Sequence, residues 1–382
     1  MLAALLLSCC GDTRVTSTTE LRAALAAAKP GARILVAPGA YEGFQAAGLQ
    51  GTEQQRIVIA AEQREQPPVF RGGVQLSDAA YLDLCDLVIE GAPANGLNLD
   101  DGGSFETPAH HLRLLRIVVR DCGRGGNEDG IKLSGVDDFR LEDCTVERWG
   151  RGGSGIDMVG CHRGEIERCT LRDREEQPAS NGVQMKGGTS AVALRACRFE
   201  HAGSRAVNAG GSTGLQYFRP KPEGFEARAL VIEGCTFIGS EAPIAFVGVD
   251  GALVRWNTFY RPRKWFLRIL QETREPDFVA CRGGKFSDNL VVYLASEVST
   301  PVNVGPGTEP QSFEFARNFW YCSDAPARSR PQLPTPEKEP AGGADPRFLD
   351  APKGDLRLAE DSPARAHGAT AWPGAHGNRE RR

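Results

Sequence analysis

Short runs in which apolar and polar residues alternate recur along the chain, and they predict β-strands. Five of these runs align residue by residue: NGLNLD from Asn95, DGIKLS from Asp129, SGIDMV from Ser154, NGVQMK from Asn181 and RAVNAG from Arg205. The third and fifth residues of each run are apolar, so period-two alternation turns both of them inward. The residue between them is polar and faces outward. These outward residues form one predicted column: Asn98, Lys132, Asp157, Gln184 and Asn208.

A cysteine or an asparagine also recurs once per unit of sequence. The members of this series are Cys122, Cys144, Cys169, Cys197, Cys235, Asn257, Asn289 and Asn318. Unrelated strands have no reason to repeat one residue type, whereas stacked coils place it in one interior column. The cysteines lack CxxC spacing and companion histidines, which favours interior packing over disulfides or a metal site. The sequence therefore predicts an all-β fold, a single-stranded right-handed parallel β-helix.

The two ends differ from the repeats. Ser17 and Glu20 have capping-box spacing, and LRAALAAAK continues as a short N-terminal capping helix until Pro30 and Gly31 stop it. Residues 17–322 are predicted to form one β-helix domain, and residues 323–382 an irregular segment that closes the last coil. Residues 1–16 are a possible signal or lipoprotein segment, because an apolar run ends at Cys9 in the manner of a lipid-acylation site. We therefore expect export, to the periplasm, the medium or a lipid anchor at the cell envelope.

Composition and charge narrow the classes of partner. The chain has 382 residues, and 45 Lys and Arg against 49 Asp and Glu give a net charge of -4, so no basic field predicts nucleic-acid binding. No later stretch reaches the ~20 apolar residues that a transmembrane helix needs. With 45 Gly and 24 Pro, the chain has the many tight turns of an all-β protein. We expect a monomer.

Two segments carry a resemblance to a known family. The opening TSTTELRAALAAAKPGARILVAPGAYEG, followed by RIVIAAE and PPVFRGG, resembles that of exported bacterial parallel β-helix polysaccharide lyases, the chondroitinase B and alginate lyase family. MKGGTSAVALRACRFEHAGSRAVNAGGSTG resembles the segment in which those lyases carry a lysine base and, about one coil later, a charge-stabilising arginine. The resemblance implies these roles for Lys186 and Arg205. Column alignment sets Lys186 level with Gly210, five positions beyond Arg205, or about 16 Å along the strand.

The resemblance also bears on metal binding. The family has acidic calcium ligands just upstream of its lysine, and this chain has SNGVQM there. The resemblance thus implies calcium as a possible cofactor, but the sequence does not identify its ligands.

Elimination from a uronate needs a base and a cation that neutralises the carboxylate, and Lys and Arg can supply both. Asp157 is a candidate binding or acid–base group, although an exposed ion pair with Lys132, worth ~0 to 1 kcal/mol, is also expected. Outward residues, an inserted loop and a basic aromatic cluster add candidate contacts to an acidic polysaccharide: Lys132, Gln184, Asn208, Asp129, Tyr217, Arg219 and Arg263. The first hypothesis is thus a lyase that cleaves an acidic, uronate-containing glycan by β-elimination.

Other functions stay open. Paired carboxylates such as Asp129 and Asp157 would suit a glycoside hydrolase, at separations of ~5 to 5.5 Å for retention or ~6.5 to 9.5 Å for inversion. A non-catalytic glycan-binding surface protein is a third hypothesis, because one fold hosts many functions. Epimerisation of a uronate shares its proton-abstraction step with elimination.

Overall fold

The protein is a right-handed parallel β-helix, and the computed structural model describes residues 11–374. Three parallel sheets run the length of the solenoid, and each coil passes through sheet A, then sheet B, then sheet C. Consecutive coils are paired strand to strand, so the backbone hydrogen bonds run along the helix axis. The predicted fold class is confirmed.

Sheet A has fourteen strands. They are Thr13–Val15, Arg33–Val36, Ile57–Ala61, Leu82–Cys85, Ala109–His110, Arg113–Leu115, Val136–Asp137, Arg140–Glu142, His162–Glu167, Thr189–Arg195, Ala227–Glu233, Val249–Arg255, Arg282–Ser287 and Glu314–Ala316. Sheet B has twelve. They are Ala40–Glu42, Val69–Arg71, Val88–Glu90, Val118–Arg120, Thr145–Glu147, Thr170–Arg172, Arg198–Glu200, Thr236–Ile238, Thr258–Tyr260, Leu290–Tyr293, Phe319–Cys322 and Ala341–Gly342.

Sheet C has ten strands. They are Gln45–Ala47, Val74–Ser77, Leu97–Asp100, Ile131–Ser134, Ser154–Val159, Asn181–Lys186, Arg205–Gly210, Ala242–Val247, Leu267–Leu270 and Val302–Val304. An antiparallel pair, Phe348–Asp350 and Asp355–Leu358, follows the solenoid. Short 3-10 helices occur at Leu215–Tyr217, Pro310–Ser312, Pro326–Arg328, Ala351–Lys353 and Ala369–Ala371.

The inward columns of sheet C have the predicted register. Leu97, Ile131, Ile156, Val183 and Val207 are aligned and fully buried. In the next column Met185 pairs with Gly210 and not with Ala209, because the register shifts at a bulge after Gln184. The alternation therefore predicts the core up to the bulge, which adds one residue that the predicted column alignment lacks.

The cysteine and asparagine column exists, with one correction. Cys144, Cys169, Cys197 and Cys235 lie at the corner between sheets A and B, and all are buried and free. The expected interior packing is confirmed for them. Cys122 follows the sheet B strand Val118–Arg120, so it lies at the next corner, and Ile117 takes its place in the column. Asn257, Asn289 and Asn318 continue the column and bond to one another, and the series ends on Glu337.

The N-terminal end has the predicted cap. The helix Thr18–Ala27 begins after Ser17, whose side chain accepts a hydrogen bond from the Glu20 amide, and it buries Leu21 and Leu25. The strand Thr13–Val15 pairs with Arg33–Val36, so the folded domain begins earlier than residue 17. The predicted acylation site at Cys9 lies outside the described residues. Within residues 11–374, no helix has the length and apolar character needed to cross a lipid bilayer.

The C-terminal segment does more than close the last coil. Ala341–Gly342 adds to the end of sheet B, as expected of a closing element. The chain then turns back along the solenoid: Gly368 donates to Asp288 O, and Ala369 donates to Thr258 Oγ1. Trp372 is buried beside Gly234, several coils from the end.

Candidate active site

The outer face of sheet C is polar through nearly its whole length. The predicted column is present with the predicted register, and it extends in both directions. In order along the axis its members are Gln45, Gln75, Asn98, Lys132, Asp157, Gln184, Asn208, Ala245, Arg268 and Asn303. Lys186 lies in a second outward column, level with Val159. Adjacent members are ~4.8 Å apart, a spacing that suits an extended glycan.

Two lysines and two aspartates form a cluster on this face, here called the Lys–Asp cluster: Asp129, Lys132, Asp157 and Lys186. Lys132 Nζ lies 2.6 Å from Asp157 Oδ2 and 3.1 Å from Asp129 Oδ2. Lys186 Nζ lies 3.4 Å from Asp157 Oδ1. The carboxylates are 5% and 2% exposed, and the lysines are 29% and 21% exposed. The predicted pair of Lys132 and Asp157 is confirmed, but it is partly buried and not the exposed pair that we expected.

Burial controls the electrostatics of this cluster. Burial and the neighbouring charge of Asp157 raise the pKa of Asp129 to about 6. Burial lowers the pKa of Lys132, but the charges of Asp157 and Asp129 outweigh it and raise the pKa overall. Asp129 Oδ1 also accepts the Ser154 amide at 2.8 Å, which ties its carboxylate to the next coil. The carboxylates are therefore buried more deeply than the lysines, which lie on the polar outer face of sheet C, here called the groove.

Gln184 completes the surroundings of Lys186. Its Oε1 atom accepts Lys186 Nζ at 3.1 Å and lies 3.4 Å from Asn181 Nδ2 and from Ser154 Oγ. Asp157 Oδ1 forms no hydrogen bond within the described part of the chain. Lys186 thus lies between an amide oxygen and a carboxylate oxygen with free acceptor capacity.

Arg205 reaches toward this group from the next coil. Its backbone is level with Asn181, so the predicted offset from Lys186 along the strand is present. Its side chain closes part of that gap, because Nη1 donates to Asn208 Oδ1 at 3.0 Å and Asn208 is level with Gln184. Nη2 donates to Glu272 Oε1 at 2.8 Å. The Arg205 side chain therefore extends along the groove from its own backbone position toward the level of Gln184.

The loop of residues 211–226 borders the groove on the side of sheet A. Arg219 forms an ion pair with Asp101, whose side chain is 1% exposed, and its guanidinium lies 4.0 Å from the Phe105 ring centroid. Glu226 accepts the amides of Gly187 at 2.9 Å and Thr213 at 2.8 Å. The predicted substrate residue Arg219 thus anchors the loop, whereas Tyr217 is 55% exposed and free to stack on a sugar.

Arg263 does not join this site. It lies beyond the corner between sheets B and C, in a separate cleft of about 620 Å³ that also contains His201 and Lys353. Its Nη2 atom donates to Glu175 O at 3.1 Å. We predicted a substrate contact for Arg263 because it belongs to the basic aromatic cluster YRPRKWFLR, but its segment joins sheet B to sheet C outside the groove.

The donors near Lys186 do not suit a calcium ion. Among the described residues, no three His, Cys, Asp or Glu side chains converge on one point as metal ligands. Asp157, the carboxylate next to Lys186, already faces two lysine ammonium groups. A divalent cation there would be repelled by both lysines.

Several site residues have no sequence signal. Asp101 and Glu226 bind partners that are far away along the chain, and Glu272 belongs to an irregular loop. Arg268 belongs to the basic aromatic cluster of the sequence, and its strand continues the alternating pattern and places it in the outward column.

The comparisons with known proteins support the fold and the family resemblance. The family model "Right handed beta helix region" matches residues 72–259. A PL6 family polysaccharide lyase from Pseudopedobacter saltans is similar at 14% identity over 94% of this chain and 99% of that one, with a TM-score of 0.54. GH136 lacto-N-biosidase from Eubacterium ramulus is similar at 13% identity over 82% of this chain and 62% of that one, with a TM-score of 0.54.

The A-module of mannuronan C-5 epimerase AlgE6 from Azotobacter vinelandii is similar at 14% identity over 86% of this chain and 94% of that one, with a TM-score of 0.50. No curated protein sequence matches the chain. At such low identities, the structural similarity shows a shared fold but not a shared function.

Proposed function

We propose that this protein is a polysaccharide lyase that cleaves a uronate-containing glycan by β-elimination. One observation carries the proposal: the Lys–Asp cluster places two partly exposed lysines on the polar outer face of sheet C and buries their carboxylate partners. An acidic glycan that lies along sheet C meets the ammonium groups first. Similar folds in polysaccharide lyases add support.

Lys132 and Arg205 are suited to neutralise the substrate carboxylate. Lys132 is held as a cation by two carboxylates, and Arg205 keeps three of its five donors beside its bonds to Asn208 and Glu272. Neutralising this carboxylate makes the proton on the neighbouring carbon more acidic, because negative charge develops there in the transition state. Gln184 and Asn208 lie between these cations and can orient sugar hydroxyls.

Lys186 is the proposed base, and Asp157 positions it. Lys186 acts as the amine, and Asp157 Oδ1, 3.4 Å from Nζ, orients it. The amine then takes the proton beside the carboxylate, and the electron pair of the broken C–H bond forms the new C=C bond. The glycosidic C–O bond breaks, and the departing oxygen takes the proton from Nζ. Lysine thus ends the cycle as an amine.

A retaining glycoside hydrolase is the second candidate. Asp129 and Asp157 bind one Nζ atom at 3.1 and 2.6 Å, which holds them close enough for the ~5 to 5.5 Å separation of retaining enzymes. The raised pKa of Asp129, about 6, is a property of a general acid. Both carboxylates, however, lie beneath the lysines and away from the groove, which favours the lyase.

The test is ultraviolet absorbance during incubation with a panel of uronate polymers, with and without added calcium. The proposal expects an unsaturated, absorbing product from the wild type and at least a hundredfold lower rate for Lys186→Ala. Lys285→Ala, which removes an outward lysine of sheet A, is the matched control and should keep the wild-type rate.

Other outcomes separate the alternatives. New reducing ends without ultraviolet absorbance would replace the lyase by the hydrolase. Binding of a uronate polymer with no product of either kind would replace both enzymes by a glycan-binding protein.

A further inference from the structure

Arg268 stands apart from the other cations of the groove. It occupies the outward column of sheet C and is half-buried, yet no carboxylate lies within ion-pair distance of it among residues 11–374. Lys132, Lys186 and Arg205 each have such a partner. A partly buried cation without a counter-ion is unfavourable for the free protein, so its site is suited to an anionic ligand.

The surroundings hold the Arg268 guanidinium in one orientation. Its Cζ atom lies 4.5 Å from the centroid of the Trp265 ring, so the guanidinium packs on the indole. Nε donates to Asn303 Oδ1 at 3.0 Å. The two Nη atoms form no hydrogen bond within the described residues. Trp265 thus contacts one face of the guanidinium and Asn303 binds its Nε edge, while the donors on the two Nη atoms are free.

The electrostatics agree with this geometry. Burial lowers the pKa of Arg268, and the charge of Arg205 lowers it further, while Glu272 and Glu241 act in the opposite sense. Arg268 is therefore near a second cation as well as half-buried. An added anion would relieve both effects.

The position of Arg268 sets the spacing of the ligand. Its strand lies three coils beyond that of Lys186, through Arg205–Gly210 and Ala242–Val247. Three coils correspond to about 14 Å along the axis. Ala245, the column member next to Arg268, is fully buried, so larger neighbouring side chains cover it.

We propose that Arg268 binds a second carboxylate of the glycan whose reacting sugar lies at Lys186. The inference rests on the proposed function for its substrate class and adds a length requirement. One sugar residue is roughly as long as one coil spacing, so the ligand needs uronates about three sugars apart. A trimer that occupies the Lys–Asp cluster does not reach Arg268, whereas a hexamer does.

The test is calorimetric titration of the full chain carrying Lys186→Ala, so that the ligand is not consumed. The probes are trimers and hexamers of oligomannuronate and oligogalacturonate, together with carboxyl-reduced hexamers. Adding Arg268→Ala should weaken hexamer binding about 10- to 100-fold, the value of one or two charge-assisted hydrogen bonds. Binding of trimers and of carboxyl-reduced hexamers should not change.

Two further variants control for charge and for folding. Arg268→Lys keeps the charge but loses the planar fork, so it should recover only part of the affinity. Arg113→Ala removes an exposed arginine from the outer face of sheet A and should change nothing.

The outcomes separate this inference from the proposed function. Unchanged hexamer affinity in Arg268→Ala, or equal weakening of trimer and hexamer, overturns the inference. If neither oligouronate binds to the Lys186→Ala chain, both the inference and the proposed substrate class fail. If hexamer binding depends on Arg268 but the wild type forms no unsaturated product, the inference holds and the lyase proposal fails.

Discussion

Replacing Asn289 by alanine should destabilise the solenoid strongly, because this side chain satisfies buried backbone groups in a neighbouring coil. Asn289 Oδ1 accepts the Asn257 amide at 2.9 Å, and Nδ2 donates to Val254 O at 3.1 Å. In Asn289→Ala, the Asn257 amide loses its acceptor and Val254 O loses its donor, and water cannot replace the missing side chain in a fully buried site. At about 1 to 3 kcal/mol for each unsatisfied group, the free energy of unfolding should fall by about 2 to 6 kcal/mol.

The column itself provides a matched substitution. Cys235 occupies the same corner one coil before Asn257, and its Sγ atom points at Leu194 O at 3.7 Å, the equivalent carbonyl of the coil before it. A cysteine therefore makes the same kind of contact through a weaker hydrogen bond. Asn289→Cys should cost clearly less than Asn289→Ala, although both remove the amide.

Urea unfolding followed by circular dichroism measures these differences as shifts of the midpoint at constant slope. Asn127→Ala, in an exposed loop, is the control and should change the free energy of unfolding by no more than about 0.5 kcal/mol. A loss below 1 kcal/mol for Asn289→Ala, or equal losses for the alanine and cysteine variants, would refute the assignment of stability to the side-chain ladder.

Two further predictions concern the groove. Because folding raises the pKa of Asp129 from 3.8 to about 6, the contribution of Asp129 to stability is fully present below pH 3.8 and is lost as the pH rises through about 6. Asp129→Asn should remove this pH dependence from the free energy of urea unfolding between pH 3.8 and about 6, and an unchanged pH dependence in the variant would contradict the assignment. Arg219→Ala leaves the buried carboxylate of Asp101 without its ion-pair partner, so the amide hydrogens of residues 211–226 should exchange faster while the sheet A strands keep their protection. If the loop of the variant exchanged as slowly as that of the wild type, the ion pair would not hold the loop.

Much of the solenoid can be predicted from the sequence because its determinants are local. Alternation over six residues fixes which side chains of a strand point inward, and stacking repeats that pattern in each coil. The column from Asn98 to Asn208 follows from this rule alone. The same rule does not locate the bulge after Gln184, since the strand Arg205–Gly210 ends two residues beyond Asn208 and is too short to show the change of phase.

The error at Cys122 has a physical cause. The corners before and after a sheet B strand are built alike, with one residue in the left-handed conformation followed by an inward residue. Asp121 has φ 55° and Asp143 has φ 53°, so RDC and EDC look the same in sequence although they turn different corners. Only the pairing of Val118–Arg120 with Thr145–Glu147 places Cys122 after sheet B.

The borders of the site depend on long-range contacts that leave no periodic trace. Arg219 and Asp101 are 118 residues apart, and Glu226 binds an amide 39 residues away. An aromatic residue next to an arginine suggests sugar binding whether or not that arginine faces the ligand. Whether the arginine faces a ligand or a buried carboxylate is decided by the path of the loop, which the local sequence does not specify.

The difference in charge burial between sheets B and C supports sheet C as the functional face. Sheet B carries arginine and glutamate pairs such as Arg120 with Glu90, in which both partners remain substantially exposed. Such pairs remain hydrated and contribute little to stability. Sheet C instead buries Asp129 and Asp157 almost completely and leaves Arg268 without a counter-ion. Burying charge in this way weakens a fold that well-packed apolar residues would strengthen, so a buried cluster beside an outward lysine is typical of a site selected for binding and chemistry.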